Sequence, residues 1–308
     1  MKEMLTSFLR GLLTPKTATH LINFIGKLKG IADLPTMMAW QARQEILKHP
    51  KFHDNKHLMP FGFKAYSQAD EDGIIQEIFQ RIGATNHNFV EIGVGNGLEN
   101  NTLNLLLQGW QGGWLEGSAK SAQFIEKKFD KIIKQGKLKF KRAFVDRDNI
   151  NRFIEGFSLP QEIDLLGIDI DGNDYHLFQA INSVKPRVVV IEYNAKFAPP
   201  TEWIMEYNPK HNWDGTDYLG VSLKSLERLF DEKGYSLVGC NITGVNAFFV
   251  RSDLVGGHFE APFTAENHYE PARYWLIRGF VSGHPGNFGP YSGAPSSGFR
   301  KNNGDHDG

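Results

Sequence analysis

Five short apolar runs, separated by stretches of helical or turn character, constrain this chain more than any other feature of its sequence. Asn88 to Gly93 (NFVEIG), Gly113 to Glu116 (GWLE), Lys139 to Asp146 (KFKRAFVD), Ile163 to Asp169 (IDLLGID) and Arg187 to Glu192 (RVVVIE) read as buried strands. Strands that alternate with crossover helices build a parallel sheet with helices on both faces, which is the α/β class. Tyr235 to Asn241 and Asn246 to Arg251 are joined only by a short turn containing Gly244, too little chain for a crossover, so they form an antiparallel hairpin. Ser67-Gln68-Ala69-Asp70 spells a capping box, and Ile74, Ile75, Ile78, Phe79 and Ile82 give the helix behind it a buried face.

Three regions follow from this pattern: a helical N-terminal extension over 1–60, a main domain over 61–281, and a Gly/Pro/Ser-rich tail over 282–308 that reads as disordered. The extension carries nine Lys/Arg against four acids, and Met4, Leu5, Phe8, Leu9, Leu12 and Leu13 form the stripe of an amphipathic helix closed by Pro15. A second stripe runs through Leu21, Ile22, Ile25 and Leu28. Such stripes pack on the main domain or a second subunit, making a homo-oligomer, or they make a peripheral contact with an anionic membrane.

The charge of the whole chain, 34 Lys+Arg against 35 Asp+Glu, leaves a net charge of -1 and no general basic field for a nucleic-acid partner. Cys240 is the single cysteine, so neither an internal disulfide nor a cysteine-based zinc site is available, as in a reducing compartment. No apolar run approaches the roughly 18 residues of a membrane span, and the first residues lack the pattern of a signal peptide. These features together read as a cytoplasmic protein.

Glu91-Ile92-Gly93-Val94-Gly95-Asn96-Gly97 follows a strand and precedes the apolar run Leu103, Leu105, Leu106, Leu107, the context in which a glycine-rich turn lets backbone approach a ligand. A dinucleotide fingerprint would place its third glycine at 98, which is Leu98. The observed spacing, with Glu91 two residues before the first glycine, resembles motif I of the class I S-adenosylmethionine-dependent methyltransferases. Glu116, ending the second strand, is placed to accept from both ribose hydroxyls, and Asp146, ending the third, from an adenine amino group; both also fit solvated strand-end acids. No Lys or Arg lies between Glu91 and Gly117, while Glu91, Glu99, Glu116, Asp169 and Asp171 gather near the turn. That balance favours a sulfonium ligand over a pyrophosphate.

Asp164 to Tyr175 (DLLGIDIDGNDY) resembles the fourth-strand motif of the FkbM-type methyltransferases, with Asp171 where Glu is usual. Ser67-Gln68, Asp72-Gly73, Leu98 to Thr102 and Ile191 to Asn194 extend the resemblance over roughly residues 65 to 255. It implies a Rossmann-like class I methyltransferase sheet, S-adenosylmethionine as cofactor, and O-methylation of a sugar, glycan or natural product. The cofactor-binding candidates are Gln68, Glu91, Gly93, Gly95, Asn96, Gly97, Glu116, Asp146 and Asp169.

The acceptor side falls at the carboxyl ends of strands four and five, where Asp169, Asp171, Glu192 and Asn194 stand. This set resembles the metal site of the magnesium-dependent O-methyltransferases, and it equally fits hydrogen bonding without Mg²⁺ or structural capping. Asp171 is the first candidate for general base. His211 is the second, in a long aromatic segment after strand five that reads as a lid, and it also reads as a solvated loop residue. Trp203, Tyr207, Trp213 and Tyr218 either stack on a sugar or seal the core. His49, His53 and His57 recur every four residues, but Pro50 interrupts the helix that would align them. His268, Tyr269 and Arg273 follow the hairpin, where the chain either folds back over the pocket or packs on the surface. Competing functions are a non-catalytic binding module built on the same core and a nucleotide-dependent oxidoreductase, which Leu98 disfavours.

Overall fold

A computed structural model of the chain describes residues 34–280. The two apolar stripes before residue 34 and the tail from 282 lie outside the described residues. Seven strands form one sheet: β1 (Asn88–Ile92), β2 (Gln111–Glu116), β3 (Leu138–Arg142), β4 (Glu162–Ile168), β5 (Lys185–Glu192), β6 (Tyr235–Cys240) and β7 (Asn246–Arg251). Their order is β3-β2-β1-β4-β5-β7-β6, the first five parallel and β7 antiparallel to both β5 and β6. This is the α/β, Rossmann-like parallel sheet with a C-terminal antiparallel hairpin that the sequence anticipates.

The helices are α1 (residues 34–47), α2 (Glu71–Ile82), α3 (Leu103–Leu107), α4 (Ala119–Lys128), α5 (Asp130–Lys134), α6 (Ile150–Glu155), α7 (Asp174–Ala180), α8 (Leu223–Glu232), α9 (Ser252–Val255) and α10 (Ala265–His268). Strand periodicity divides the core between the two faces of the sheet. Val189 and Ile191 of β5 join α6, α7 and α8 in one cluster, while Val188 and Val190 join α2, α3, α4 and α5 in the other. A third, smaller cluster seats Ala39 of α1 against Phe52, Met59, Ile242 and Leu276, so the described part of the N-terminal extension packs on the main domain.

Three local expectations are corrected. The capping box is not one: α2 begins at Glu71, and Ser67 belongs to the preceding loop. There the Asp72 carboxylate accepts from the amides of Ala65, Tyr66 and Ser67, each at 2.7 Å, and from the Ser67 hydroxyl. β3 ends at Arg142 rather than Asp146, because its pairing partner β2 ends at Glu116, directly opposite Arg142, and the ladder has nothing further to run against. The histidines spaced by four do not converge. His49 caps a 3₁₀ turn opened by Pro50, His53 lies 3.0 Å from the Lys48 carbonyl, and His57 is buried beside His268.

At the amino-terminal end of the sheet, Asp164 is fully buried and accepts from the amides of Thr85, Asn86 and His87 at 2.6 to 2.9 Å, with the Arg187 guanidinium 3.3 Å away. Asp164→Ala would leave Arg187 buried and unbalanced and three loop amides without acceptors. The expected loss is about 3–5 kcal/mol of unfolding free energy. Urea denaturation checks it, and a loss below about 1 kcal/mol would contradict this account.

Candidate functional site

A cleft of about 630 Å³ opens beyond the carboxyl ends of β1, β2 and β4, where ligands enter an open α/β sheet. The glycine turn after β1 forms its floor, and the three glycines serve different ends. A Cβ on Gly93 would come within 1.7 Å of the Asp169 carbonyl, at a φ of +84°. Only glycine fits there. A Cβ on Gly97 would meet the rings of Trp114 and Phe129, so this residue packs inward and does not line the cleft. Gly95 alone has open space where its side chain would be, and it lines the cleft.

Glu116 sits at the rim of this turn with both carboxylate oxygens oriented. Oε2 accepts from the Gly95 amide at 2.8 Å and Oε1 from the Ser118 amide at 2.7 Å. Burial raises its pKa, opposed by these backbone donors. Gln68 lines the cleft near Lys64, whose Nζ bonds the Gln68 carbonyl and pairs with Glu99 at 2.9 Å. A cation thus reaches the rim from a segment well before the glycine turn, a contact that counting charges between Glu91 and Gly117 misses, and Glu99 neutralises it.

Three sequence candidates point elsewhere. Glu91 is buried beneath the turn, where its carboxylate accepts from the Asn101 amide at 2.8 Å and from the amide and hydroxyl of Thr102. It shapes the segment that follows the glycines without lining the cleft. Asn96 is exposed and closes a local turn by accepting from the Leu98 amide. Asp146, displaced from the strand end by the early stop of β3, accepts from the amides of Asp148 and Asn149 and starts the turn into α6. Ala143, Phe144 and Val145 line the cleft in its place, with Phe144 58% exposed.

On the other side of the cleft, carboxylate oxygens of Asp169, Asp171 and Glu192 lie within 4.8 Å of one another. Oε2 of Glu192 is buried and has no hydrogen-bond partner. Burial first, and then repulsion from neighbouring acids, led by Asp174 for Asp169 and by Asp169 for Glu192, hold both well above the usual carboxylate range. Asp171, raised by burial and opposed by His211, is held in the left-handed region at φ +54°. Asp174 fixes that turn by accepting from the amides of Ile170 and Gly172, each at 2.9 Å. Its place in Asp-Gly-Asn-Asp, where a helix starts, was the available signal for this role. Asn194 does not join the cluster. Its amide donates to the carbonyls of Asp217 and Leu219 at 3.0 Å, and its oxygen accepts from the Lys196 amide.

The segment after β5 covers the mouth. Asn173 donates to the Asn208 carbonyl at 2.7 Å, and the His211 ring rests on Gly172 with Nε2 3.1 Å from the Asp171 carbonyl. Trp213 lines the cleft and is 47% exposed, whereas Trp203 stacks on Phe197 and Tyr207 packs against His176 and Arg147. Tyr218 packs edge-on to Trp203. His268, Tyr269 and Arg273 pack on the protein body. His268 is buried near the Glu260 carbonyl, Tyr269 donates to the Ala195 carbonyl, and Arg273 pairs with Glu270.

Compared by sequence with known families and with curated proteins, the chain matches none. Solved structures with a similar arrangement include an O-methyltransferase from Bacillus cereus in complex with SAH (16% identity, 70% of this chain and 89% of that one, TM-score 0.38). Others are an S-adenosylmethionine-dependent methyltransferase from Clostridium acetobutylicum (15%, 61% and 92%, 0.37) and the amino pentose methyltransferase CalS10 from Micromonospora echinaspora (12%, 61% and 92%, 0.37). At these identities and scores the likeness adds nothing to what the sheet order already states.

The buried acids give stability a definite pH dependence. Burial raises Glu91 to about 7, and burial with the neighbouring Glu71 raises Asp70 to about 8. Between the unfolded carboxylate pKa and these values the folded chain binds more protons than the unfolded chain, so stability falls as pH rises. His268, lowered to about 4 by burial, acts oppositely up to its unfolded pKa of 6.5. The fall should therefore be clear from about pH 6.5 to 8. Differential scanning calorimetry across that window should show a decreasing Tm; a rising one would contradict the assignment.

Proposed function

We propose that this chain is an S-adenosylmethionine-dependent methyltransferase acting on a hydroxyl of a sugar, glycan or natural product. The observation that carries the reading is Glu116. Two backbone amides hold its carboxylate beside the open Gly95, leaving oxygen lone pairs for two vicinal hydroxyls, and among the described residues none of those lining the cleft is a Lys or Arg to hold a phosphate. The acids opposite suit a cofactor that carries positive charge on sulfur and nitrogen. Phe144 and Val145 supply an apolar wall on the β3 side, the place for a flat base.

The cofactor supplies an electrophilic methyl group. Held against Glu116, Gly95 and the Phe144–Val145 wall, it would present that methyl group to an acceptor oxygen, and the carbon–sulfur bonding pair would stay with sulfur as a neutral thioether. Asp171, at the cleft and with its pKa raised by burial, takes the hydroxyl proton. Trp213 and His211 close over the acceptor, Trp213 offering a flat face for a sugar. The donor set of Asp169, Asp171 and Glu192 also fits a divalent ion such as Mg²⁺: three hard oxygens lie close together, and one buried oxygen lacks a partner. Such an ion would lower the pKa of the acceptor hydroxyl. Asn194, tied to two carbonyls, is not among its ligands.

Calorimetric titration with S-adenosylmethionine, S-adenosylhomocysteine and NAD tests the reading. Failure of the folded protein to bind either sulfur ligand would remove it. Glu116→Ala should weaken S-adenosylmethionine binding by about 1.5–3 kcal/mol, the scale of a hydrogen bond to a charged group, without lowering stability comparably.

A separate expectation concerns the proton and the ion. Asp171→Asn keeps the shape of the turn while removing the base, so methyl transfer should fall by about 10²-fold or more with cofactor affinity nearly unchanged. Radiolabelled methyl transfer in wild type and variant, each with and without EDTA, separates the cases. Undiminished turnover in Asp171→Asn excludes the base, and undiminished turnover of wild type in EDTA excludes the ion.

A further inference from the structure

Helix α1 buries one side and leaves the other bare. Ala39, Ala42 and Ile46 face the third cluster, together with Leu276 and Phe280. On the helical wheel Met37 falls opposite them, with Leu34 and Met38 on the flank between. They are open to solvent, Met37 at 59% and Met38 at 66%. The 3₁₀ turn Tyr274–Gly279 packs directly on this helix, close enough that a Cβ on Gly279 would lie 2.9 Å from the backbone of Ala39 and Trp40. Yet Trp40, Tyr274 and Trp275 are each more than half exposed. Isolated exposed apolar residues are ordinary; six large ones on two touching elements are not.

The surroundings of this face are basic. Within residues 34–60 and 270–280, Arg43, Lys48, Lys51, Lys56, Arg273 and Arg278 stand against Glu45, Asp54 and Glu270, and although Glu45 pairs with Lys48 and Glu270 with Lys51 and Arg273, the balance is positive by three. In sequence, the first 33 residues are also net basic, with Lys2, Arg10, Lys16, Lys27 and Lys29 against Glu3 and Asp33. A second copy of the same face, or the chain's own first residues, would bring like charge onto like charge. An anionic lipid surface gains from the same charges. Trp and Tyr, apolar with one polar atom, are the side chains that settle at the boundary between headgroups and water.

We propose that the face formed by α1 and the turn Tyr274–Gly279 docks on an anionic membrane, with Met37, Met38, Trp40 and Trp275 entering the headgroup region. Apolar insertion and basic attraction are each weak alone, and together they give reversible attachment. The docking is independent of the reaction at the cleft, so it stands whether or not the chain transfers methyl groups.

Co-sedimentation of the full-length protein with phosphatidylcholine vesicles, made with and without phosphatidylglycerol, tests this. The expected result is binding that needs phosphatidylglycerol, declines with salt, and drops about tenfold in Trp40→Ser/Trp275→Ser. Met37→Gln/Met38→Gln, confined to the solvent face of the helix, provides a second variant should the first melt abnormally. No pelleting with anionic vesicles overturns the proposal. So does full binding by either folded variant, which would leave the basic residues acting alone, or a concentration-dependent dimer lost in the variants without vesicle binding, which would make the occupant a second copy.

Discussion

Where β1 and β4 leave the sheet, their two turns approach so closely that no side chain fits at Gly93. The Asp169 amide bonds the Ile92 carbonyl at 3.0 Å and the Gly93 amide bonds the Leu115 carbonyl at 2.9 Å, which continues the ladder past the strand ends. Beneath this junction Glu91 gathers the amides of Asn101 and Thr102, and behind it Gly97 lies against Trp114 and Phe129. The turn is fastened on three sides. Its only open side is at Gly95, and the placement of Glu116 relative to Asp169 and Asp171 depends on that rigidity.

The sheet was legible because a parallel strand covered on both faces must be apolar at nearly every position, as Arg187-Val-Val-Val-Ile-Glu192 is. The glycine turn was legible because close backbone approach excludes other residues, and the place of Glu116 because an acid at the end of a parallel strand stands at the cleft. Other assignments depended on contacts that no local pattern carries. Glu91 and Glu116 both stand in the last two positions of their strands, yet one points beneath the turn and the other to the rim. The length of β3 was set by where β2 stops. Asn194 is held by carbonyls more than twenty residues away, and Lys64 reaches Glu99 from a separate segment.

The two ends of the sheet handle buried charge in opposite ways. At the amino end Asp164 is surrounded by amides and faces Arg187, so its charge is balanced and contributes to stability. At the carboxyl end Asp169 and Glu192 repel each other, and Asp70 and Glu71 lie buried side by side at the start of α2. Glu71 is satisfied only by neutral groups, the Ala69 amide and the side chains of Asn241 and Asn246. At the end where the cleft opens the fold buries acids without a cationic partner, and burial shifts them toward the uncharged form.

The hairpin also determines the order in which the sheet can be completed. β7 is inserted between β5 and β6, so the interior of the sheet is finished by residues 246–251 and its rim by residues synthesised earlier. Until that segment leaves the ribosome, one side of β5 is an unpaired edge reading Val-Val-Val-Ile, the kind of strand that recruits other chains. The nascent protein therefore carries its most adhesive surface uncovered through more than fifty residues of elongation after β5. The charged ends of that strand, Lys185, Arg187 and Glu192, are what guard it in the interval.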